Sequence, residues 1–463
     1  MPLKDLLKDP LDLTAPDAST FMARVQGNIL KGHDRNHTAH LFVRFGADVG
    51  ATRAWIARDI SRRLISAERQ SQQSKAWRVA RGRGEPFFVF VLSHHGYQTL
   101  GIDAALIPND PYFRAGMKGT PDAGPALTDP PSSDWEKPFQ DDIDAMVLVA
   151  DDDRTRLDGI VAELAKEIAG IGAQHFVERG DVQTFDFGGG RDKVEIEHFG
   201  HQDGISQPRM IRQDADKEIA GRGAAHWNPT ASLSLGIVEE PGRPDHFGSY
   251  LVFRKLGQNV QAFRAARDGL AAALGVGIED AAALAVGRYR DGRPVLPTTV
   301  VMPGADPNDF SFKTDATAAV CPYQAHIRKT NPRGDLAAFI PGQTDESERG
   351  FRILRRGIPF GARPDLALGS KLPPPSDGVG LLFMCYQSRL INFVIQQDGS
   401  DANAFVKDGV GPDPVLGVNA QPTAQQWPRD GNPNAAQFLM ANFITLHGGE
   451  YFFAPSPLFL ESL

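Results

Sequence analysis

Apolar residues along the chain gather into short runs, and between the runs they recur at helical spacing. His40–Phe45 (HLFVRF), Pro86–Leu92 (PFFVFVL) and Ala145–Ala150 (AMVLVA) read as strands, and a fourth strand is expected within His175–Phe185. Helical spacing marks Ala51–Ile65 and Leu157–Ile168. The second of these follows Asp151–Asp153, whose negative charge suits a helix N-terminus. Pro108–Pro138, rich in Pro, Gly, Asp and Ser, reads as a long excursion over the surface. The order strand, helix, strand, strand, helix, strand is the split βαβ plan of a ferredoxin-like sheet.

The second half repeats that order. Ser249–Arg254 (SYLVFR), Phe351–Leu354 and Gly380–Tyr386 (GLLFMCY) read as strands, Val260–Leu274 as a helix, and Arg389–Gln396 as the start of another. Two Pro/Gly-rich insertions, Asp291–Asn308 and Gly361–Asp377, interrupt it. No repeat is visible in the residues themselves, so the duplication rests on element order. The expected fold is α+β: two ferredoxin-like lobes, each an antiparallel sheet with peripheral helices. Residues 1–25 are expected to form a loosely attached leader, 26–240 the N-terminal lobe and 241–463 the C-terminal lobe, with a site between them.

Composition narrows the class. A chain of 463 residues has a prior of roughly three domains of ~150 residues, or two larger lobes. With 41% hydrophobic and 23% charged residues it resembles an ordinary globular protein, large enough to bury a cofactor. Lys+Arg total 49 against 57 Asp+Glu, a net charge of −8, which argues against nucleic acid as a partner. The two cysteines, Cys321 and Cys385, form no CxxC, and the expected reading is buried free thiols. The opening MPLKDLLKDPLDLTAPDAST has charges and prolines where a signal peptide needs an apolar run. No stretch approaches 18 uninterrupted apolar residues, so no membrane span is expected and the expected location is the cytoplasm.

Four segments carry candidate chemistry: GHQDG (Gly200–Gly204), CPYQAHIRKTNPR (Cys321–Arg333), FRILRRGIPFG (Phe351–Gly361) and GLLFMCYQ (Gly380–Gln387). Each alone has a plain structural reading. GHQDG makes a turn whose aspartate bonds local backbone. His326 is a lone histidine, Arg355 and Arg356 end an apolar strand, and Leu381–Phe383 are core.

Taken together and in order, the four segments resemble the dye-decolourising peroxidases, a haem enzyme family, and in particular its longer fungal-like members. The resemblance starts at VQGNILKG (Val25–Gly32), continues through GSYLVFRK (Gly248–Lys255) and ends at GGEYFFAPSP (Gly448–Pro457). The family's GxxDG motif is matched by Gly200 through Gly204. The resemblance implies haem b, held between sheet and helices of the C-terminal lobe. It implies His326 as the proximal iron ligand and Asp413, in GPDP, as the carboxylate receiving that imidazole's N–H. It places Asp203 and Arg355 on the distal, peroxide-binding face, Leu381 and Phe383 lining that pocket, and Gly204 beside the cofactor. Neighbours on a strand point to opposite faces, so only one of Arg355 and Arg356 can be distal. The implied activity is oxidation of dyes, phenols and similar small donors by H2O2, with an acidic optimum on anionic dyes.

These residue types suit the implied roles. A carboxylate behind an iron-bound imidazole orients the ring and strengthens it as a donor. One distal carboxylate near both peroxide oxygens can take a proton from one and return it to the other. An arginine keeps its charge at any working pH and stabilises negative charge as the O–O bond breaks. It also favours the ionised form of a neighbouring aspartate.

Where fungal members often carry tyrosine this chain has Phe360, and no tryptophan follows IQQDGSD (Ile395–Asp401). Such aromatics relay electrons from bulky donors, so the departure bears on substrate range; Tyr386, Trp227 and Trp427 are the substitutes to weigh against plain packing. Rival motifs are weaker. HFGH (His198–His201) has metal-pair spacing without further ligands, with Glu195 and Glu197 beside it expected to be solvated. GGGRDK (Gly188–Lys193) lacks the ending of a phosphate loop, and His94–His95 shows no motif. The alternative functions are a haem carrier or iron-release protein, which needs His326 but not Asp203 with Arg355, and a haem-free scaffold. The natural reductant and the oligomeric state are not legible.

Overall fold

Seven consecutive buried residues, Phe87–Ser93 (β2), form a strand covered on both faces, and Ala145–Asp151 (β3) has the same pattern. Both pair antiparallel, and β3 pairs in turn with His37–Arg44 (β1), which pairs with Gln174–Asp181 (β4). The computed structural model describes residues 2–80, 84–187, 193–297, 308–366 and 370–463. GGGRDK lies outside the described residues except for Lys193, as do parts of both expected insertions.

The C-terminal half supplies Phe247–Gln258 (β5), Leu354–Arg355 (β6), Ile358–Phe360 (β7), Gly380–Gln387 (β8) and Ile444–Ala454 (β9). The main path of the sheet runs β7-β8-β5-β9-β2-β3-β1-β4. Each half therefore has the ferredoxin-like order, β4-β1-β3-β2 and β9-β5-β8-β7. The halves fuse where β9 pairs with β2, Phe452 opposite Ser93 and Phe453 opposite Leu92. The outer strands β7 and β4 pack side by side, so the sheet curls round a shared core.

Several boundaries differ from the sequence reading. The helix expected over Ala51–Ile65 is Val49–Trp55 (α1), which runs on into a widened turn, Ile56–Ile60, and ends well short of Ile65. Phe351–Leu354 is not a strand; its place is taken by β6 and β7, which pair with β8 across from Cys385 and Leu382. The helix expected from Arg389 is Ile391–Asp401. A helix at Ala67–Ala80 (α2) was not foreseen, because its face carries glutamines instead of an apolar stripe. It docks through Gln70, which accepts from Asn28 N and donates to the carbonyls of Lys31 and Gly32.

The described part of the expected leader, residues 2–25, is not loosely attached. Leu11, Phe21 and Val25 are buried, and Leu11 N donates to Met210 O at 2.7 Å. The charges and prolines of this arm merely space out its anchors. The Pro108–Pro138 excursion also reaches inward, burying Phe113 and Trp135. Its half-buried Asp129 accepts two bonds from the buried Arg254 on β5, a bidentate ion pair. Among the described residues no single helix is long and apolar enough to cross a membrane.

The elements that frame the site are β5 and β8 on one side and two helices on the other. These helices are His326–Thr330 (α5) and Ile391–Asp401 (α6), with Arg154–Gly170 (α3) and Val260–Leu274 (α4) between α2 and them in the chain.

Candidate active site

GHQDG is a turn built round a carboxylate that the sequence reading placed in solvent. Glu197 accepts from Phe199 N (2.8 Å), His201 N (2.9 Å) and Gln258 Nε2 (2.7 Å). Its remaining surface faces a cavity, and burial raises its pKa despite those donors. Gly200 (φ 100°) and Gly204 (φ 78°) take backbone conformations that side chains resist. The chain thereby reverses and turns Asp203 toward β6. Gly204 itself is exposed and does not line the cavity. Having no side chain, it contributes only its N–H, which donates to Asp203 Oδ1 at 2.6 Å.

Arg355 meets Asp203 there, Nη1 to Oδ1 at 3.0 Å, while its Nη2 donates to Ile205 O at 2.7 Å. Arg356 turns the other way. Its Nε and Nη2 donate to the carbonyls of Asn28 and Ile29, and burial lowers its pKa to about 10. The strand alternation that separates Arg355 from Arg356 recurs on β8. Leu381 and Phe383 line the cavity and Leu382 is fully buried behind them.

The same cavity is lined by His326, the first residue of α5. Its Nδ1 lies 2.8 Å from Asp413 Oδ2. Asp413 is fully buried behind the ring, with Oδ1 accepting from Val415 N (2.7 Å) and Leu416 N (3.1 Å). Burial opposes charge on both members. The attraction between them overcomes it, so the His326 pKa is raised and the Asp413 carboxyl is held low. A carboxylate with every visible partner a donor assigns the proton to Nδ1 and leaves Nε2 to accept or ligate.

Lys329 and the carbonyl end of α6, to which the sequence reading assigned no role, hold this pair. Lys329, one turn along α5, donates to Gly399 O (2.9 Å) and Ala402 O (2.7 Å) at the C-terminal end of α6. The next carbonyl along, Ser400 O, accepts from Asp413 N at 2.8 Å. The carbonyl end of α6 thus ties the histidine's helix to the histidine's carboxylate.

The cavity that His326, Asp203 and Arg355 share has about 1540 Å³ of space with its mouth included. Leu381 and Phe383 on β8 and Leu256 on β5 form one wall, and Ile327 and Phe393 on the helices another. Arg288 and Arg333 add positive charge. They bond Ser206 Oγ and Asn308 Oδ1, and Trp227 stacks between Arg333 (4.1 Å) and Arg352 (5.1 Å). Nothing in the sequence marks these arginines as cavity residues, since their partners lie up to 127 positions away.

The donor set suits a cofactor that brings its own metal ligands. Among the described residues no three His, Cys, Asp or Glu side chains group to hold a bare ion. The cavity instead offers one imidazole with a buried carboxylate behind it, apolar walls, and guanidinium groups for an anionic rim.

The remaining candidates are structural. His198 is buried, its Nε2 2.7 Å from Phe360 O, and burial lowers its pKa to about 4. His201 borders the cavity, so the HFGH pair does not converge on one point. His94 packs edge-on against Phe113, and His95 Nδ1 lies 2.7 Å from Asp144. Cys321 and Cys385 are buried free thiols. Trp427 is fully buried and donates to Phe438 O; Tyr386 is equally buried, which pushes its pKa far up. Trp227 sits between two cations with no partner for Nε1, a poor place from which to lose an electron.

An antiparallel sheet of two ferredoxin-like halves, curled beside a histidine-and-carboxylate cavity, defines an α+β class of protein. A family model described as the DyP dimeric alpha+beta barrel domain matches residues 24–182. The multifunctional dye peroxidase DyP2 of Amycolatopsis sp. is 38% identical over 96% of this chain and 97% of its own. A dye-decolorizing peroxidase of Mycetinis scorodonius is 29% identical over 95% of this chain and 86% of its own. Among solved structures, a DyP-type peroxidase of Anabaena sp. superposes with a TM-score of 0.85 at 36% identity, covering 96% of this chain and 94% of that one. The structure of DyP2 from Amycolatopsis sp. gives 0.84 at 35%, covering 98% and 99%. The chain belongs to the dye-decolourising peroxidase family. It is a peroxidase, and membership implies a haem cofactor.

Proposed function

We propose that the protein binds haem b through His326 Nε2 and uses H2O2 to oxidise small organic donors such as phenols and dyes. Two donors are consumed per peroxide: 2 AH + H2O2 → 2 A• + 2 H2O. The observation that carries the reading is the placing of two pairs, Asp203 with Arg355 and His326 with Asp413, on one cavity. A carrier would need the second pair only.

Haem, when bound, supplies the redox-active iron at which peroxide is reduced. Asp413 keeps the proton on His326 Nδ1 and fixes the ring, so that Nε2 is the ligating atom. Apolar residues such as Leu381, Phe383 and Phe393 exclude water from the cofactor faces, and Arg288 and Arg333 suit its carboxylates. Asp203 Oδ1 is taken up by Gly204 N and Arg355, which leaves Oδ2 to accept a proton from one peroxide oxygen and deliver it to the other. Arg355, braced on Ile205 O, presents fixed positive charge to the oxygen that departs as water.

The test is an absorption spectrum of the haem-loaded protein followed by rapid mixing with one equivalent of H2O2. A Soret band that changes on mixing and returns when a phenol is added is the expected result. A Soret band indifferent to peroxide would leave a carrier.

A further inference from the structure

A second cavity, about 650 Å³ with its mouth included, adjoins the first, and Phe199 lines both. Its other walls are Phe185, Arg264, Arg267, Arg290 and Leu366. Arg264 and Arg267 stand one turn apart on α4 and so share a face. Arg290 is fixed by the GHQDG turn: its Nε donates to Gly200 O at 3.0 Å and its carbonyl accepts from Gln202 N at 2.9 Å. Its guanidinium lies 5.0 Å from the Phe185 ring centre.

Among the described residues, the carboxylates beside these arginines compensate them weakly. Asp365 is already held by two bonds from Arg363 and stands 3.7 Å from Arg264. Glu279 reaches Arg290 only at 3.7 Å, and it and Asp268, the partner of Arg267, are 59% and 52% exposed, so water and salt weaken both pairs. Burial, together with the like charges of Arg363, Arg267 and Arg290, lowers the pKa of Arg264. A bound anion would relieve that repulsion. Two phenylalanine faces beside three guanidinium groups select a flat aromatic body carrying a negative group, since arginine both stacks on rings and bonds carboxylate or sulfonate in a fork.

We propose that this cavity is a docking subsite for aromatic anions, aryl carboxylates or sulfonates, which gives them an advantage over neutral donors at the adjoining haem cavity. The proposal rests on the peroxidase reading above. Its test pairs syringate with 2,6-dimethoxyphenol, donors that differ by one carboxylate, and adds equilibrium titration of the resting holoenzyme with naphthalene-2-sulfonate, which needs no turnover. In an Arg264→Gln/Arg267→Gln double variant with an intact Soret band, the naphthalene-2-sulfonate Kd should rise about tenfold, and the syringate-to-dimethoxyphenol ratio of kcat/KM should fall about fivefold or more. Should the double variant fail to fold, Leu366→Trp fills the cavity without removing charge and should move both readouts the same way. An unchanged Kd and an unchanged ratio in a folded variant would overturn the subsite. A wild-type enzyme that oxidises neither donor would instead overturn the peroxidase reading, while the titration still decides the subsite.

Discussion

Arg355 and Arg356 are adjacent in the chain and hold different parts of the molecule together. Arg355 reaches the Asp203 carboxylate, whereas Arg356 ties β6 to the carbonyls of Asn28 and Ile29. Their substitutions should therefore fail in different assays. Arg355→Leu is expected to retain haem and melt near the wild-type temperature, but to slow the Soret change with H2O2 by about 10²–10³-fold. Arg356→Leu takes a donor from three carbonyls, those of Asn28, Ile29 and Arg355, at about 1–3 kcal/mol for each one left unsatisfied, offset in part by the guanidinium's own desolvation. Its loss should show in thermal stability first. Equal rate losses in both variants would remove the distinction.

Asp203→Asn keeps the shape of the turn and an oxygen for Gly204 N and Arg355, but gives up the basic carboxylate. Proton transfer in such roles is worth about 10²–10⁴-fold, so stopped-flow mixing with H2O2 should show a loss of that order with the resting spectrum unchanged. An undiminished rate would shift the whole distal role to Arg355.

Asp413→Asn tests the other wall. The amide still accepts from His326 Nδ1 through its oxygen, yet carries no charge and turns its NH2 toward the donors Val415 N and Leu416 N. A weaker donor imidazole should follow, read as a more positive ferric/ferrous midpoint potential, with haem affinity lowered by about 10–100-fold. A potential equal to that of the wild type would mean that Asp413 only positions the loop.

The strands with unbroken apolar runs and the residues of the two pairs were legible in the sequence for different reasons. PFFVFVL and AMVLVA are too short for a buried helix and rich in aromatic or β-branched residues, as strands covered on both faces are, and β2 and β3 fall on them nearly to the residue. GHQDG, HIRKTNPR and RRGIPFG spoke only as a set in order. What stayed hidden is held by long-range polar bonds. The α2 helix docks largely through polar bonds such as those of Gln70, Glu197 is enclosed by the turn it stabilises, and Lys329 and Arg333 find their acceptors far along the chain. No local period or composition encodes such partners. The N-terminal arm misled for the converse reason, because its polar spacing concealed anchors at Leu11 and Phe21.

Lys329→Met should loosen the junction between α5 and α6. The methionine fills the space but leaves Gly399 O and Ala402 O unsatisfied, a cost of about 1–3 kcal/mol for each carbonyl cut off from water. Burial already lowers the Lys329 pKa to about 8, so part of that cost is recovered by removing a desolvated ammonium. The net expectation is a lower melting temperature and faster haem transfer to an acceptor such as apomyoglobin. Retention of haem at the wild-type rate would show that the His326–Asp413 bond holds without the clamp.

Asp401 gives the fold a pH dependence with a definite sign. It ends α6, accepts from Gln397 Nε2 (3.0 Å) and Val418 N (2.8 Å), and is buried near the Arg254–Asp129 pair. Burial raises its pKa to about 7, against the lowering by those donors and by Arg254. The native state thus holds this proton more tightly than the unfolded chain, whose aspartates titrate near 4. Stability from this group is complete below about pH 4 and is lost as pH rises through about 7, where the buried carboxyl must ionise. Asp401→Asn keeps an acceptor for both donors and has no charge to bury. Its stability gain over the wild type should be largest at pH 8, on the order of a few kcal/mol, and should shrink toward zero near pH 4. Melting temperatures of both proteins across that range decide the matter. A difference independent of pH would mean that Asp401 is ionised throughout, with Arg254 supplying the compensation that burial removes.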